Sequence, residues 1–271
     1  MSERTKVFWH EAFFEALQLE FYRYQNLLEF EDEYPLSKEA LIMDVLVIKK
    51  KQGEHIDKNI GKIFKTHNVF EFKSETDSLT EHDYNKVVAY ALLYSSFTPA
   101  TVSDITVSFV VTVHPRELLK YLKDERGFTI RTTGDGIYYI DGDTFIVQIL
   151  ESKLLPPNEN LFLRNLRSNL STDDVTKTAE AYKKLKPFEK KNVYWDRLIQ
   201  ANQEAFKEAM NMMSSAVKEL FFEVAERDGW LTDRDFEKAK SIAKEMLSDG
   251  ESIEKIVKWT KLPYETVTGL V

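Results

Sequence analysis

The sequence predicts an α/β core over residues 1–155, followed by a helical C-terminal region over residues 156–271. Three observations carry this reading. Two long runs rich in β-branched residues, 41–48 and 105–113, have the near-continuous apolar character of strands buried on both faces. Stretches of helical periodicity, 9–28 and 80–97, alternate with them. After Pro156 and Pro157 the strand signals stop, and helical periodicity with Lys/Glu-rich faces continues to the end.

Taken in order, residues 9–28 place Trp9, Phe13, Leu17, Phe21, Tyr24, Leu27 and Leu28 on one side of a helical wheel, with Glu11, Glu15 and Glu29 opposite. Glu20 falls inside the apolar stripe, where an unpaired carboxylate would cost several kcal/mol by order of magnitude, so its charge needs a partner. An acidic patch at 29–33 and a turn at Tyr34 and Pro35 lead into the strand 41–48, whose one polar member is Asp44. Lys49 to Gly53 end that strand, residues 57–65 form a short amphipathic segment, and 68–73 form a second strand. Ser78 with Glu81 three residues later reads as a capping box for a helix from Thr80 to about Phe97. The strand 105–113 stops at His114 and Pro115, and 116–123 forms a short helix. Strands 128–131, 137–140 and 145–150 are separated by the turn sequences Gly134-Asp135-Gly136 and Asp141-Gly142. The helical region comprises 172–184, a long segment 192–227, then 233–247 and a terminal pair, 252–259 and 263–270.

Composition narrows the function. The chain of 271 residues contains no cysteine, which removes disulfide frameworks, Cys-ligated zinc and iron–sulfur clusters and fits a reducing compartment. Residues 1–6 carry charge of both signs rather than a secretory pattern, and the longest apolar run, 87–94, is far short of the roughly 18 residues of a membrane helix. A soluble, cytoplasmic protein is expected. There is no P-loop, no GxGxxG, no HExxH and no GxSxG elbow, and His10, His55, His67, His82 and His114 read as structural or surface residues. Net charge is −8, from 37 basic and 45 acidic residues, yet residues 44–75 hold seven lysines (49, 50, 51, 58, 62, 65, 73) against five acids, a local balance of +2. Such a surface suits a phosphate backbone, and a solvated lysine face explains it equally well.

The chemistry rests on charged groups planted in strands. Asp44 sits in an apolar strand, and Glu71 and Lys73, two residues apart, share one face of another. Two carboxylates with a backbone carbonyl form the hard-oxygen set that suits Mg²⁺ or Mn²⁺, and a neighbouring lysine can offset charge developing on a phosphate. An E-x-K triplet arises often by chance in a chain that is 30% charged, and a buried Asp can equally be a structural acid. Order, strand placement and spacing together favour phosphodiester hydrolysis.

Helix, Asp-bearing strand, E-x-K strand and following helix resemble the PD-(D/E)XK nuclease superfamily. Within it, residues 37–50, 58–65, 67–74, 83–94 and 160–166 are similar to a bacterial group of nucleases related to transposase-like and recombination-promoting nucleases. The resemblance implies a restriction-endonuclease-like mixed sheet flanked by helices, acting as a Mg²⁺- or Mn²⁺-dependent DNA endonuclease. In that reading Asp44 and Glu71 ligate the metal, the carbonyl of Phe72 adds a ligand, and Lys73 assists the water. Met43 stands where the name-giving proline would be. Glu20 acquires a candidate catalytic role, because the superfamily's first helix often contributes an acid. The alternative is a stem that packs while the head reaches a cation. On the helix after the E-x-K strand, Tyr84, Lys86 and Tyr90 are candidates to contact a phosphate, but Val87, Tyr90, Ala91 and Tyr94 lie at helical spacing, which favours core packing for the tyrosines. Residues 252–267 have a helix-turn-helix rhythm of mixed charge, which favours a packing element or a homo-oligomer contact over base reading. The rival function is a catalytically inactive DNA-binding or assembly protein that retains the nuclease fold.

Overall fold

A computed structural model describes residues 9–31, 46–185, 193–209, 233–260 and 262–270. Asp44 and the first half of its expected strand lie outside the described residues. The chain divides into two compact units, the first closing at Arg167 and the second running from Ser168. The first therefore extends past the Pro156-Pro157 break, for a reason that lies in Glu20 and is given below.

The first unit is α/β. Its elements are α1 (His10–Glu20), β1 (Leu28–Glu31), β2 (Leu46–Lys50), β3 (His67–Lys73), α2 (Glu81–Phe97), β4 (Ile105–Val111), α3 (Arg116–Asp124), β5 (Thr129–Thr132), β6 (Ile137–Asp141), β7 (Ile146–Glu151) and α4 (Leu161–Arg164). The strands form one seven-stranded mixed sheet in the order β1-β2-β3-β4-β7-β6-β5. The pairs β3·β4 and β4·β7 are parallel and the others antiparallel.

Alternation along the strands gives this sheet two unlike faces. On one, Val69, Val107, Phe109, Val147 and Ile149 are buried under Tyr84, Val87, Ala91 and Tyr94 of α2 and Leu118 and Leu122 of α3. Each buried Val, Leu, Ile or Phe among them contributes about 1.5–3 kcal/mol. On the other, Phe13 of α1 stacks on Phe72 at 4.8 Å, and Phe21, Phe64 and Phe70 form a chain of rings 5.1 and 5.7 Å apart. Gly61 lets the loop before β3 close on this face, since a Cβ there would come within 2.5 Å of the Ile56 side chain.

Three expectations are corrected. The helix expected over 9–28 ends at Glu20, and Tyr22–Tyr24 make a single 3-10 turn. The register Leu28↔Lys50 and Glu31↔Val47, with Lys49 Nζ 2.6 Å from Glu31, draws the tail of the periodic segment into the sheet. Glu15, expected on the outer face, is buried. The capping box at α2 is Thr80 with Asp83, not Ser78 with Glu81: the Thr80 hydroxyl accepts from Asp83 N–H at 3.2 Å while the Asp83 carboxylate accepts from Thr80 N–H at 3.0 Å.

The second unit is helical in its described parts: α5 (Thr172–Leu185), α6 (Val193–Ala201), α7 (Gln203–Ala209), α8 (Asp233–Ser248), α9 (Ile253–Thr260) and α10 (Tyr264–Thr268). The long segment expected from 192 breaks at Asn202, whose amide donates to Leu198 O at 3.0 Å and accepts from Leu170 N–H at 2.9 Å, so its hydrogen bonds serve a turn. Residues 210–227 of that segment lie outside the described residues. Tyr182, Trp195 and Phe206 pack as one aromatic cluster, and Ala243, Ile256, Leu262 and Val267 make a small separate core. Among the described residues no helix is long and apolar enough to cross a membrane.

Asn68 joins three elements of the first unit. Its Oδ1 accepts from Lys65 N–H at 2.9 Å and from the Thr106 hydroxyl at 2.8 Å, and its Nδ2 donates to Ile48 O at 3.0 Å and Lys65 O at 2.9 Å. Asn68→Leu would orphan these buried groups, and urea denaturation should show a loss of about 3 kcal/mol.

Candidate active site

β3 is flanked on both sides, antiparallel by β2 and parallel by β4, so a charged side chain on it cannot escape to a sheet edge. Glu71 and Lys73 point to the α2 face, as the period-two rule requires, with side chains only 9% and 10% exposed. Lys73 Nζ lies 2.9 Å from Asp83 Oδ1, 3.3 Å from Glu71 Oε1 and 3.3 Å from Asp77 Oδ2. Three carboxylates therefore converge on one ammonium, matching its three N–H donors.

The electrostatics follow from these contacts. Burial alone would lower the Lys73 pKa, but the hydrogen bond to Asp83 and the fields of Glu71, Asp83 and Asp77 outweigh it and raise it well above the ordinary lysine value. Burial pushes the Asp83 carboxyl up, but hydrogen bonds from the Thr80 hydroxyl, Lys73 and the Thr80 backbone bring it down to about 2. Asp83 thus caps α2 and holds Lys73 at once.

Glu20 is not brought to this cluster. It belongs to α1, which packs on the Phe72 face, whereas Glu71 and Lys73 face α2. Its Oε1 accepts from the backbone N–H groups of Phe162 and Leu163 at 2.7 and 2.9 Å, at the start of α4, and its Oε2 lies 2.8 Å from Lys58 Nζ. Lys58 also donates to Glu159 O. Of the two roles open to it in the sequence, the contacts of Glu20 match the packed stem with its head on a cation. They tie the stretch after Pro157 to the first helix, which is why the first unit continues to Arg167. Burial raises the Glu20 pKa despite Lys58 and the two N–H donors. Lys58, counted among the surface lysines, is in fact 10% exposed at its side chain.

Sequence reasoning missed Asp77 and Asp83. Asp83 left a usable signal, an acid three residues after a threonine that lies seven residues past the E-x-K strand, which is a second capping-box spacing beside that of Ser78 and Glu81. It also passed over His114 and Glu151. His114 Nδ1 lies 2.8 Å from Glu151 Oε2, which accepts as well from the Tyr138 hydroxyl at 3.1 Å. His67 pairs instead with the Tyr94 hydroxyl at 2.8 Å, and burial lowers its pKa. Tyr84 is fully buried in the core and donates to Asp143 at 2.7 Å.

The oxygen chemistry of Glu71 and the Phe72 carbonyl fits a hard divalent cation. Among the described residues no three His, Cys, Asp or Glu side chains are grouped so as to hold a metal ion, and Asp44 lies outside those residues. Comparison with protein-family models, with curated proteins and with solved structures returned no match.

Two outcomes test this geometry. Glu20→Gln should lower stability by about 3 kcal/mol, because it removes the carboxylate partner of the largely covered Lys58 ammonium, and Glu20→Gln/Lys58→Met should recover most of that. Because the folded pKa of Glu20 is raised, its contribution is fullest below 4.5 and falls as pH rises through the folded value, a slope absent in Glu20→Gln melts. The Asp83 shift has the opposite sign. Its contribution is present above 3.8 and is lost as pH falls toward about 2. Acid titration of Asp83→Asn should therefore lack about 1 kcal/mol of that pH-dependent stability once partial solvent screening is allowed for.

Proposed function

We propose that the protein is a metal-dependent DNA endonuclease whose site is built on Glu71 and Lys73, with Asp44 and the Phe72 carbonyl completing the metal set. The observation that carries the reading is a buried glutamate–lysine pair on an inner strand of a mixed sheet, facing the helix that follows it. Burying two charges is expensive and rarely a net gain in stability, so a pair kept in such a place invites a chemical role. The order α1, β2, β3 with E-x-K, then α2 agrees with the superfamily resemblance and with a restriction-endonuclease-like core. A link to recombination or mobile elements rests on the resemblance alone.

A bound Mg²⁺ or Mn²⁺ would polarise the phosphoryl group and lower the pKa of a water at the site. Glu71 offers an oxygen ligand from a rigid strand. Lys73, held charged by its carboxylates, presents positive charge where a phosphate would gain negative charge. Its three partners are also what favours the second reading, a purely structural ion cluster in a DNA-binding protein without chemistry.

Purified protein should nick plasmid DNA with Mg²⁺ and not with EDTA. Lys73→Ala should keep Mg²⁺ affinity by calorimetry while cleavage falls at least about 100-fold, and Asp44→Ala should lose both. Equal Mg²⁺ affinity in Asp44→Ala and wild type would remove Asp44 from the ligand set. Absence of cleavage with Mg²⁺ and Mn²⁺ would leave the non-catalytic reading.

A further inference from the structure

Building on the endonuclease reading, we infer that His114 is a catalytic residue of the same site, the base that takes the proton from the attacking water, and that Glu151 and Tyr138 position it. Lys73, Val111 and Glu151 stand in register across the parallel strands β3, β4 and β7. Residues in register share a face, and strands lie about 4.8 Å apart, so the Glu151 backbone lies about 10 Å from that of Lys73 on the α2 side. The carboxyl ends of parallel strands are where open α/β sheets place ligands.

The chain between the two groups is fixed. Thr112, just past β4, directs both its N–H and its hydroxyl to Lys73 O, each at 3.2 Å. Two residues later comes His114. The far end of β7 is fixed too: Glu151 N–H donates to Gly136 O at 2.7 Å, and Gly136 has φ +75°, with room for no Cβ, since one would lie 2.7 Å from Glu151 O.

The hydrogen bonds assign the ring's protons. Glu151 Oε2 accepts from Tyr138 at 3.1 Å and sits 2.8 Å from His114 Nδ1. A carboxylate in its ionised form can only accept, so in the neutral ring the hydrogen goes to Nδ1 and the lone pair stays on Nε2. The carboxylate is the inner member, 12% exposed, and the imidazole the outer one, 45% exposed. Among the described residues, the ionisable groups in contact with the ring are Glu151 of β7 and Tyr138 of β6. An imidazole oriented by a carboxylate through Nδ1 is the arrangement of a general base.

The water oxygen bonds to phosphorus while Nε2 takes its proton. The bond from phosphorus to the leaving sugar oxygen breaks with its electron pair on that oxygen, which is protonated by solvent. The test is plasmid cleavage by the full chain with Mg²⁺ from about pH 5 to about pH 9, beside ¹⁵N NMR of the histidine ring nitrogens. Wild type should show a rising acidic limb and a protonated Nδ1. His114→Asn should lose about 100-fold or more in rate together with that limb, and added imidazole should restore part of the rate to His114→Ala. Glu151→Gln should lower the rate, and the ring proton should no longer be confined to Nδ1, because the imidazole loses the carboxylate that orients it. His114→Asn cleaving at the wild-type rate and pH profile would overturn the inference and leave the endonuclease reading standing. Wild-type protein that cuts nothing with Mg²⁺ or Mn²⁺ overturns both. A ring proton found on Nε2 overturns the inference whatever the activity.

Discussion

An ammonium withdrawn from water must be met by negative charge, and much of the first unit is arranged around that requirement at Lys73. Asp83 meets it from the first turn of α2, and the same carboxylate closes that helix's capping box. The helix start and the strand end are therefore fastened by a single side chain. With that end pinned, Tyr84, Val87, Ala91 and Tyr94 come down on the sheet in one register and bury the core between α2 and β3, β4 and β7. Asp77, more exposed, adds charge without adding much rigidity.

The opposite face solves a similar problem by different means. Buried Glu20 meets the largely covered Lys58 ammonium, and the backbone amides at the start of α4 complete the carboxylate's hydrogen bonding. The raised pKa of Glu20 says that this pairing does not fully repay its desolvation. What it provides is connection, since it holds the segment beyond Pro157 against the first helix. Asn68 does comparable work with neutral groups, using all four of its hydrogen bonds to join β2, the loop before β3 and β4.

Three parallel strands end side by side at Lys73, Val111 and Glu151, and this edge gathers the chemistry-bearing side chains on one face of the sheet. The Glu71–Lys73 pair is enclosed, whereas His114 is half open to solvent. The proposed site combines a fixed charge cluster with a half-exposed imidazole, held by strand ends rather than by a free loop.

The sequence by itself determined the α/β character of the first part, the helical character of the second, and the shared face of Glu71 and Lys73, because all three depend on local periodicity. It marked Glu20 as a buried acid needing a partner for the same reason. Tertiary structure decided who the partners are. Lys58 and the α4 amides are brought to Glu20 from 38 to 143 residues away, and Glu151 reaches His114 across 37. Strand pairing also overruled local pattern where the two competed: helical periodicity runs on past Glu20, yet the ladder of β1 with β2 takes Leu28–Glu31 into the sheet. Between Ser78/Glu81 and Thr80/Asp83 the spacing rule is neutral, and the ammonium of Lys73 is what selects the second. Periodicity is a property of neighbours along the chain, while the neutralisation of a buried charge depends on whatever the completed fold places beside it.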